Sequence, residues 1–273
     1  MIGGEWVGAP IGDEAVTPHV CDIRDEAVVT ATVAAIKAAH GRIDGLMNNA
    51  GGQYPTPLQA ISAKGWQAVV NNNLTGGFLM ARECYTHAMK AGGSAIVNII
   101  ADMWNGMPGM GHSGAARAGM LNFTETAACE WAVSGVRVNA VAPCYIASSG
   151  LDAYPPEFVA QSRHIVRKEP LQRWGNAAEV SAAIVFLLSD AAVFITGSVI
   201  RVDGGVPNAR PTWPLPAHER SKPFDGFPMY RTPAALKDRA KAEHQNDCLS
   251  ARSMRDYSVR CVVGFLARNS IEP

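Results

Sequence analysis

Ser113 and Arg117 stand four residues apart in the stretch "GHSGAARAGM". On a helix, this spacing places both side chains on one face. A serine hydroxyl is far less acidic than a phenol, and arginine keeps its charge well above neutral pH. The pair therefore suits the stabilisation of a negatively charged oxygen better than the transfer of a proton to it. A site that has lost its activity, or a helix of small residues packed against a neighbour, would show the same two residues.

A second candidate is the loop "NNAGG", residues 48–52, which follows the apolar run "GLM". Its small residues allow the backbone to approach a ligand closely. This favours a binding role, and an ordinary Asn-Gly turn is the alternative.

Two further polar residues have both a functional and a structural explanation. Asp22 follows a possible strand end, and aspartate is also a good helix N-cap. Asn73 lies inside the helical stretch "NNNLTGGF", where asparagine is disfavoured. Asn73 therefore has either a role in catalysis or a buried hydrogen bond to neighbouring backbone.

Short apolar runs rich in Val and Ile alternate with helical patterns between residues 20 and 206. Such runs are typical of strands buried on both faces. They are "GLMNNA" (45–50), "SAIVNII" (94–100), "VRVNAVAP" (136–143) and "SVIRVDGG" (198–205). The helical patterns include Val29, Val33 and Ile36, then Val180, Ile184 and Leu187.

This alternation predicts an α/β fold with a Rossmann-like, doubly wound parallel sheet. In such sheets, ligands bind in loops at the carboxyl ends of the strands. The chain is further predicted to have an irregular N-terminal segment (1–19), a central domain (20–206), and a C-terminal extension (207–273) that is Pro-rich and then basic.

The composition excludes several classes of function. The 273 residues have a formal net charge of zero, which argues against nucleic acid as a partner. No apolar run of membrane-spanning length occurs, so we expect no membrane association. Six scattered cysteines without a C-x-x-C pair predict reduced thiols in a cytoplasmic protein. Neither the cysteines nor the seven histidines have metal-ligand spacing, so no metal site is predicted.

Eight segments in order resemble the short-chain dehydrogenase/reductase family. They are "CDIRD", "GRIDGLMNNAGG", "NNLTGGFLM", "GGSAIVNI", "SGAARAG", "GVRVNAVAP", "LQRWGNAAEV" and "FITGSVIRVDGG". The segments "GGQ", "ISAKGWQAV", "VNII" and "HSGAARAGM" look most like the peroxisomal-type trans-2-enoyl-CoA reductases, which are similar to the 2,4-dienoyl-CoA reductases. This resemblance implies hydride transfer from NADP(H), with NAD(H) as the alternative, to a conjugated C=C bond of an acyl-CoA-like substrate.

The resemblance also assigns cofactor contacts. It places a carboxylate, here Asp22, against the adenine amino group, with Ile23 beside it. The loop after the first strand of the central domain borders the adenosine and ribose, which implies contacts from Asn49, Ala50 and Gly51. Ile146 would offer backbone groups to the nicotinamide carboxamide.

The catalytic roles implied by the resemblance fall on three residues. Asn73 would hold a water and a backbone group in a proton relay. Ser113 and Arg117 occupy the positions of the family's Tyr and Lys, so Arg117 would also anchor the nicotinamide ribose. Family members form tetramers or dimers, and a homo-oligomer is therefore expected.

The chain departs from the family pattern at further positions. Asp102 stands where an acidic residue could protonate the substrate, and Cys144 replaces a glycine that permits positive φ. The first strands and the glycine-rich T-G-x-x-x-G-x-G loop are expected to be absent, which would truncate the fold at its N-terminus. "GLMNNA" would then be an apolar edge strand unless another segment covers it.

Two other functions stay open at this level. One is an alcohol or carbonyl dehydrogenase of the same family. The other is a truncated chain without catalytic activity.

Overall fold

Helices and strands alternate along the chain in the computed structural model, which describes residues 16–210, 212–224 and 262–265. The order is α1 (Glu26–His40), β1 (Gly45–Asn48), α2 (Ala63–Val70), α3 (Gly76–Cys84), β2 (Ser94–Ile99), α4 (Gly111–Trp131), β3 (Val136–Pro143), β4 (Ile146–Ala147), α5 (Pro156–Val166), β5 (Gly175–Asn176), α6 (Ala177–Leu188), β6 (Val199–Val202) and β7 (Val262–Phe265). Each of the four strands predicted from apolar runs is present within its predicted range.

Five of these strands form one sheet in the order β6-β3-β2-β1-β7, and all neighbouring pairs are parallel. The predicted α/β fold with a Rossmann-like parallel sheet is therefore confirmed. Because the strands are parallel, the segments that follow β1, β2 and β3 leave the sheet at the same edge. These segments carry most of the predicted site residues.

The outer neighbour of β1 is β7, from the C-terminal extension. Gly45 pairs with Val262 and Asn48 with Phe265 in parallel register. β1 was expected to form an apolar edge unless another segment covered it, and β7 is such a segment. Its backbone pairs with the hydrogen-bonding groups that an edge strand would expose.

Two units of the chain pack internally. The first contains Met1–Pro143, Ala182–Val202 and Val259–Pro273, and the second contains Cys144–Ser181 and Asp203–Ser258. The predicted division at residues 19 and 206 stays a prediction, because residues 1–15, 225–261 and 266–273 lie outside the described part of the chain.

Helix α1 is capped at its start by a carboxylate and ended by a glycine. The Asp25 carboxylate accepts hydrogen bonds from the Ala27 and Val28 N–H groups at 3.0 and 3.2 Å. Gly41 ends the helix with φ 75°, a left-handed conformation that glycine adopts without strain. The predicted apolar face is buried in the core of the first unit, and it consists of Val29, Val33 and Ile36.

The helical stretch from residue 63 to residue 89 contains two π-helical turns. In Asn71–Thr75, the Gly76 N–H donates to the Asn71 carbonyl five residues earlier. In Tyr85–Met89, the Lys90 N–H donates to the Tyr85 carbonyl at 3.0 Å. Single π turns of this kind are frequent at functional sites, and the first of them contains Asn73.

A buried chain of polar side chains joins the sheet to α4. Asn48 and Asn98 are neighbours in register, and Asn48 Nδ2 donates to Asn98 Oδ1 at 2.8 Å and to the Gly77 carbonyl at 3.1 Å. Asn98 Nδ2 in turn donates to the Thr124 hydroxyl at 2.9 Å. Because buried polar groups are costly unless they are paired, this chain fixes α4 on the sheet and so positions Ser113 and Arg117.

Candidate active site

Asn73 holds the loop that follows β1. Its side chain is only 3% exposed. Asn73 Nδ2 donates to the Gly52 carbonyl at 2.7 Å and to the Val69 carbonyl at 2.8 Å, while the Gly52 N–H donates to Asn73 Oδ1 at 3.2 Å. The structural explanation considered for this asparagine, a hydrogen bond to neighbouring backbone, is therefore correct, and its proposed role in a proton relay stays a prediction.

Arg117 reaches the same loop from α4. Its Nη1 donates a short hydrogen bond to the carbonyl of Ile99, the last residue of β2. A Cβ added to Gly51 would lie 2.5 Å from Arg117 Nη2 and 2.6 Å from Asn73 Oδ1. Only a glycine therefore fits at position 51 while Asn73 and Arg117 stay in place.

Ser113 lies in the first turn of α4 and is completely buried, with 0% of its surface exposed. Its hydroxyl donates a short hydrogen bond to Oε1 of Gln53, which is half-buried. These contacts join residues of the loop after β1, the first π turn and α4. We call this group the loop–helix cluster. Its members are Gly51, Gly52, Gln53, Asn73, Ser113 and Arg117.

His112 directly precedes Ser113 and packs against Tyr54. Their rings meet edge to face with centroids 4.7 Å apart, and the Tyr54 hydroxyl packs over Gly65. Burial lowers the pKa of the His112 imidazole below its usual value, and a hydrogen bond with the Met110 backbone opposes part of that shift. The imidazole is therefore stabilised in its neutral form.

The predicted adenine-binding residues lie before α1. Asp22 is exposed, and Arg24 Nε and Nη2 donate to its two carboxylate oxygens at 2.8 and 2.7 Å. Hydrogen bonding from Arg24 lowers the pKa of Asp22 below its usual value. The alternative role of Asp22 as a helix N-cap is excluded, since Asp25 fills that position.

The Ile23 side chain is buried and packs so closely on Gly76 that a Cβ there would lie 2.6 Å from Ile23 Cδ1. This leaves the Ile23 backbone as the part that could contact a cofactor. Asn49 and Ala50 are half-buried in the loop after β1, directly before Gly51. Cofactor contacts from these three residues remain predictions.

The remaining predicted positions lie after β2 and β3. Asp102 is half-buried, and its N–H donates to the Pro143 carbonyl at 3.4 Å. Ile146 belongs to the second unit, where it pairs with Gly175 in a two-stranded parallel sheet. The positive φ considered for Cys144 occurs one residue later, at Tyr145, with φ 48°. The functions of Asp102 and Ile146 stay predictions.

Gln53 was not among the predicted site residues, although "GGQ" contributed to the resemblance. One signal pointed to it: a polar side chain directly after two glycines at the end of a buried strand. The buried chain of Asn48, Asn98 and Thr124 was not predicted either. Periodicity of apolar residues does not show which residue an asparagine inside an apolar run will bond.

The residues of the loop–helix cluster fit a nicotinamide dinucleotide. Asn49 and Ala50, which precede the cluster, and Gly51 are small or polar and half-buried, and they follow β1 at the carboxyl edge of the sheet, where ligands bind in such folds. The guanidinium of Arg117 supplies a fixed positive charge with several N–H donors, which suits ribose hydroxyl oxygens. Because Gly51 has no side chain, the side chains of Arg117 and Asn73 can both lie against the loop.

Comparison with known proteins identifies the family. A family model described as "Enoyl-(Acyl carrier protein) reductase" matches residues 7–207.

The chain belongs to the short-chain dehydrogenase/reductase family.

Its relatives in this family have different named activities. The peroxisomal 2,4-dienoyl-CoA reductase of Danio rerio is 36% identical over 191 residues, which are 69% of this chain and 63% of the relative. The solved citronellol catabolism dehydrogenase of Pseudomonas aeruginosa PAO1 is 52% identical, with a TM-score of 0.60 over 69% of this chain and 72% of that one. A gluconate 5-dehydrogenase from Burkholderia cenocepacia J2315, solved with NADP and tartrate, is 31% identical, with a TM-score of 0.64 over 69% of this chain and 74% of that one.

Membership of this family makes the protein an oxidoreductase that uses NADP(H) or NAD(H). Within the described ranges, no group of three His, Cys, Asp or Glu side chains could hold a metal ion. None of the helices in those ranges is long and apolar enough to cross a membrane.

Proposed function

We propose that this short-chain dehydrogenase/reductase reduces the conjugated C=C bond of a trans-2-enoyl thioester, with an acyl-CoA-like molecule as substrate. The observation that carries the proposal is the environment of Ser113. The position where the family has a phenol holds a completely buried serine whose hydroxyl donates to Gln53. A site arranged in this way lacks an acidic phenol at that position to protonate a carbonyl oxygen.

Reduction of an enoyl thioester has different requirements. NADPH, when bound, would supply the hydride that the β-carbon of the substrate takes up. The π electrons of the C=C bond then shift towards the thioester carbonyl, whose oxygen becomes an enolate oxygen. Hydrogen-bond donors of the loop–helix cluster stabilise this oxygen without losing a proton to it. The α-carbon takes a proton from solvent, which completes the reduction.

Arg117 supports the same choice. A guanidinium stays charged and is a poor proton carrier, whereas it is an effective fixed donor to an anion. Its position is constrained by the Ile99 carbonyl on one side and by Gly51 on the other. Preorganised donors of this kind stabilise developing charge without a cost of reorganisation during the reaction.

The test is the oxidation of NADPH, followed by its absorbance, with crotonyl-CoA and with longer trans-2-enoyl-CoAs. We expect kcat/KM for these substrates to exceed that for aliphatic ketones and aldehydes by at least about 100-fold, the scale of one oxyanion-hole donor. Turnover of carbonyl compounds with no turnover of any enoyl-CoA would contradict the proposal.

A second candidate function is the oxidation of a terpenoid alcohol or the reduction of its aldehyde. The 52% identity to the citronellol catabolism dehydrogenase favours it. Reduction of NAD(P)⁺ with citronellol, together with inertness towards enoyl-CoAs, would support this alternative.

A fluorescence titration that detects no NADPH binding at millimolar concentration would instead support a non-catalytic chain. Self-association and a cytoplasmic location, both expected from the sequence, remain predictions.

A further inference from the structure

Two loops of the first unit lie side by side next to the beginning of α4. We call them the apolar loop pair, and they consist of residues 54–62, which follow β1, and residues 103–110, which follow β2. A backbone hydrogen bond joins them directly, since the Thr56 N–H donates to the Gly109 carbonyl at 2.7 Å. The two loops therefore form one continuous surface.

Apolar side chains of the loop pair pack on α4 both before and after Ser113. A Cβ added to Gly111 would lie 2.7 Å from Cδ1 of Leu58. A Cβ added to Gly114 would lie 3.3 Å from Cβ of Met107. One loop thus contacts the helix two residues before Ser113, and the other contacts it one residue after. The loop pair adjoins the part of α4 where the proposed reduction takes place.

The surface of the loop pair is uncharged and partly apolar. Charged residues make up 18% of the chain, but the two segments contain no Asp, Glu, Lys or Arg. Two of their large apolar residues are nevertheless exposed, Leu58 at 67% and Trp104 at 42%. The Arg201 guanidinium carbon lies 5.7 Å from the centre of the Trp104 ring, a cation–π contact that holds this ring in place. Exposed apolar residues that adjoin a candidate active site are typical of a ligand-binding groove.

The second loop combines a fixed backbone with adaptable side chains. It consists of two successive turns, in which the Gly106 N–H donates to the Met103 carbonyl at 3.0 Å and the Met110 N–H donates to the Met107 carbonyl at 2.9 Å. Methionine is unbranched and polarisable, so its side chain adjusts to apolar groups of different shapes. A surface with these properties suits a hydrocarbon chain, which has many conformers and no fixed shape.

We propose that the apolar loop pair binds the hydrocarbon chain of the acyl group, and that Leu58 and Trp104 make the enzyme prefer long acyl chains to short ones. This inference rests on the proposed function for the presence of an acyl chain. A hydrocarbon chain is the occupant that fits, because the surface carries no charge and begins beside Ser113, from which the chain of a bound substrate must extend.

The experiment measures the affinity of the full chain for saturated acyl-CoAs, which bind without being reduced. Butyryl-, octanoyl- and dodecanoyl-CoA are titrated calorimetrically in the presence of NADP⁺, so that the CoA group is the same in each titration. We expect the dissociation constant to fall about twofold to fourfold for each added CH₂ group, up to the length of the surface, since a fully buried CH₂ is worth about fourfold.

Variants of the two exposed residues locate this preference. Leu58→Ala should lower the affinity for dodecanoyl-CoA about fivefold relative to butyryl-CoA, since it removes apolar contact area. Trp104→Ala removes more area and should lower the same ratio at least about tenfold. Leu58→Asp should have an effect of at least that size, because a carboxylate loses hydration beside a hydrocarbon chain. A purely structural role would weaken the binding of short and long chains alike and leave the ratio unchanged.

Val133→Ala and Phe194→Ala are the matched controls. Both residues are apolar and exposed, Val133 at 90% and Phe194 at 102%, and both lie outside the loop pair. These variants should keep the wild-type ratio of affinities for dodecanoyl- and butyryl-CoA.

Three results would overturn the proposal. The first is a wild-type dissociation constant that is the same for all three acyl-CoAs within about twofold, which needs no variant to fold. The second is a wild-type ratio in both Leu58→Asp and Trp104→Ala. The third is a change of molar mass in Leu58→Asp, measured by light scattering, together with an unchanged ratio, since it would assign the surface to contact with a second copy of the chain.

Two comparisons separate this inference from the proposed function. A wild-type chain that reduces no enoyl-CoA, but prefers long acyl chains in a way that the variants abolish, contradicts the proposed function alone. Reduction of crotonyl- and dodecenoyl-CoA with no dependence of affinity on chain length contradicts this inference alone. A chain that binds no acyl-CoA contradicts both.

Discussion

Asn73 and Asp22 are assigned by resemblance to the same cofactor-binding enzyme site, yet they have opposite surroundings. Asn73 is buried and bonds the backbone of Gly52 in the loop after β1 and of Val69, four residues earlier in its own helix. Asp22 is exposed, and its recorded partner is Arg24, two residues away. A change at Asn73 must therefore alter the geometry of the loop–helix cluster, whereas a change at Asp22 can alter only a local surface contact and whatever ligand it binds.

The largest effect in this comparison is expected at Gly51, beside Asn73. Gly51→Ala would place a Cβ at 2.5 Å from Arg117 Nη2 and 2.6 Å from Asn73 Oδ1, so both side chains must move. Displacements of about 1 Å at a catalytic site cost about 100-fold in rate, and we expect kcat/KM to fall by at least that factor. Overpacking should also lower the free energy of unfolding by about 1–3 kcal/mol.

Gly92→Ala is the control for Gly51→Ala. A Cβ at Gly92 meets nothing within 4 Å, so activity and Tm should be unchanged. Equal losses in the two variants would show that the crowding at Gly51 has no functional importance.

Asn73→Ala is expected to have the next largest effect. The substitution leaves the Gly52 N–H, the Gly52 carbonyl and the Val69 carbonyl without this partner. Loss of buried hydrogen bonds should lower the free energy of unfolding in urea by about 1–3 kcal/mol. Asn71→Ala, in the same π turn, removes only side-chain contacts to Gln67 and Thr75 and should cost about 0.5 kcal/mol. A smaller loss at Asn73 than at Asn71 would contradict this account.

The pH dependence of stability tests the burial of His112 beside Ser113. Its pKa is lowered in the folded chain, so below about pH 6.5, the usual pKa of histidine, the unfolded chain takes up the proton more readily. Stability is therefore full above this pH and declines as the pH falls towards the lowered pKa. We expect Tm to decline over this range in the wild type and to decline less in His112→Gln.

The smallest effect on stability is expected at Asp22. The side chains of Asp22 and Arg24 are each 49% exposed, and the loss of such a surface pair costs less than about 0.5 kcal/mol. If Asp22 binds the adenine amino group, Asp22→Ala should raise the dissociation constant of NADPH about threefold to tenfold, the value of one hydrogen bond. Asp25→Ala should do the reverse: it removes an N-cap worth about 1 kcal/mol and leaves cofactor affinity unchanged. A calorimetric titration of both variants distinguishes these outcomes.

The period of apolar residues predicted the elements well, because it reports directly on burial. It predicted the face of α1 formed by Val29, Val33 and Ile36, and four of the five strands of the main sheet. Two features did not follow from any pattern. The pairing of β1 with β7 joins segments more than 200 residues apart, and the π turn at Asn71–Thr75 depends on which backbone bond a helical residue makes.

The candidate site divides in the same way. The spacing of Ser113 and Arg117 predicted a shared helix face, and the structure places both on α4 next to the loop after β1. Sequence spacing does not show how far a side chain is buried, however, so the complete burial of Ser113 and its bond to Gln53 were not predicted. A contact between residues 60 positions apart becomes visible only when the folded chain brings the two together.

The π turn at Asn71–Thr75 also determines the direction in which the residues after it point, relative to the residues before it, around the helix axis. A π turn closes with a bond to the fifth residue instead of the fourth, so it holds one residue more than an α turn. Each residue of an α-helix advances the helix by about 100°. A chain with one residue fewer at this turn would therefore rotate Leu79 and Met80 away from the core by about that angle if Asn73 kept its bonds to Gly52. The extra residue is what allows one helix to direct a polar residue to the β1 loop and apolar residues to the sheet.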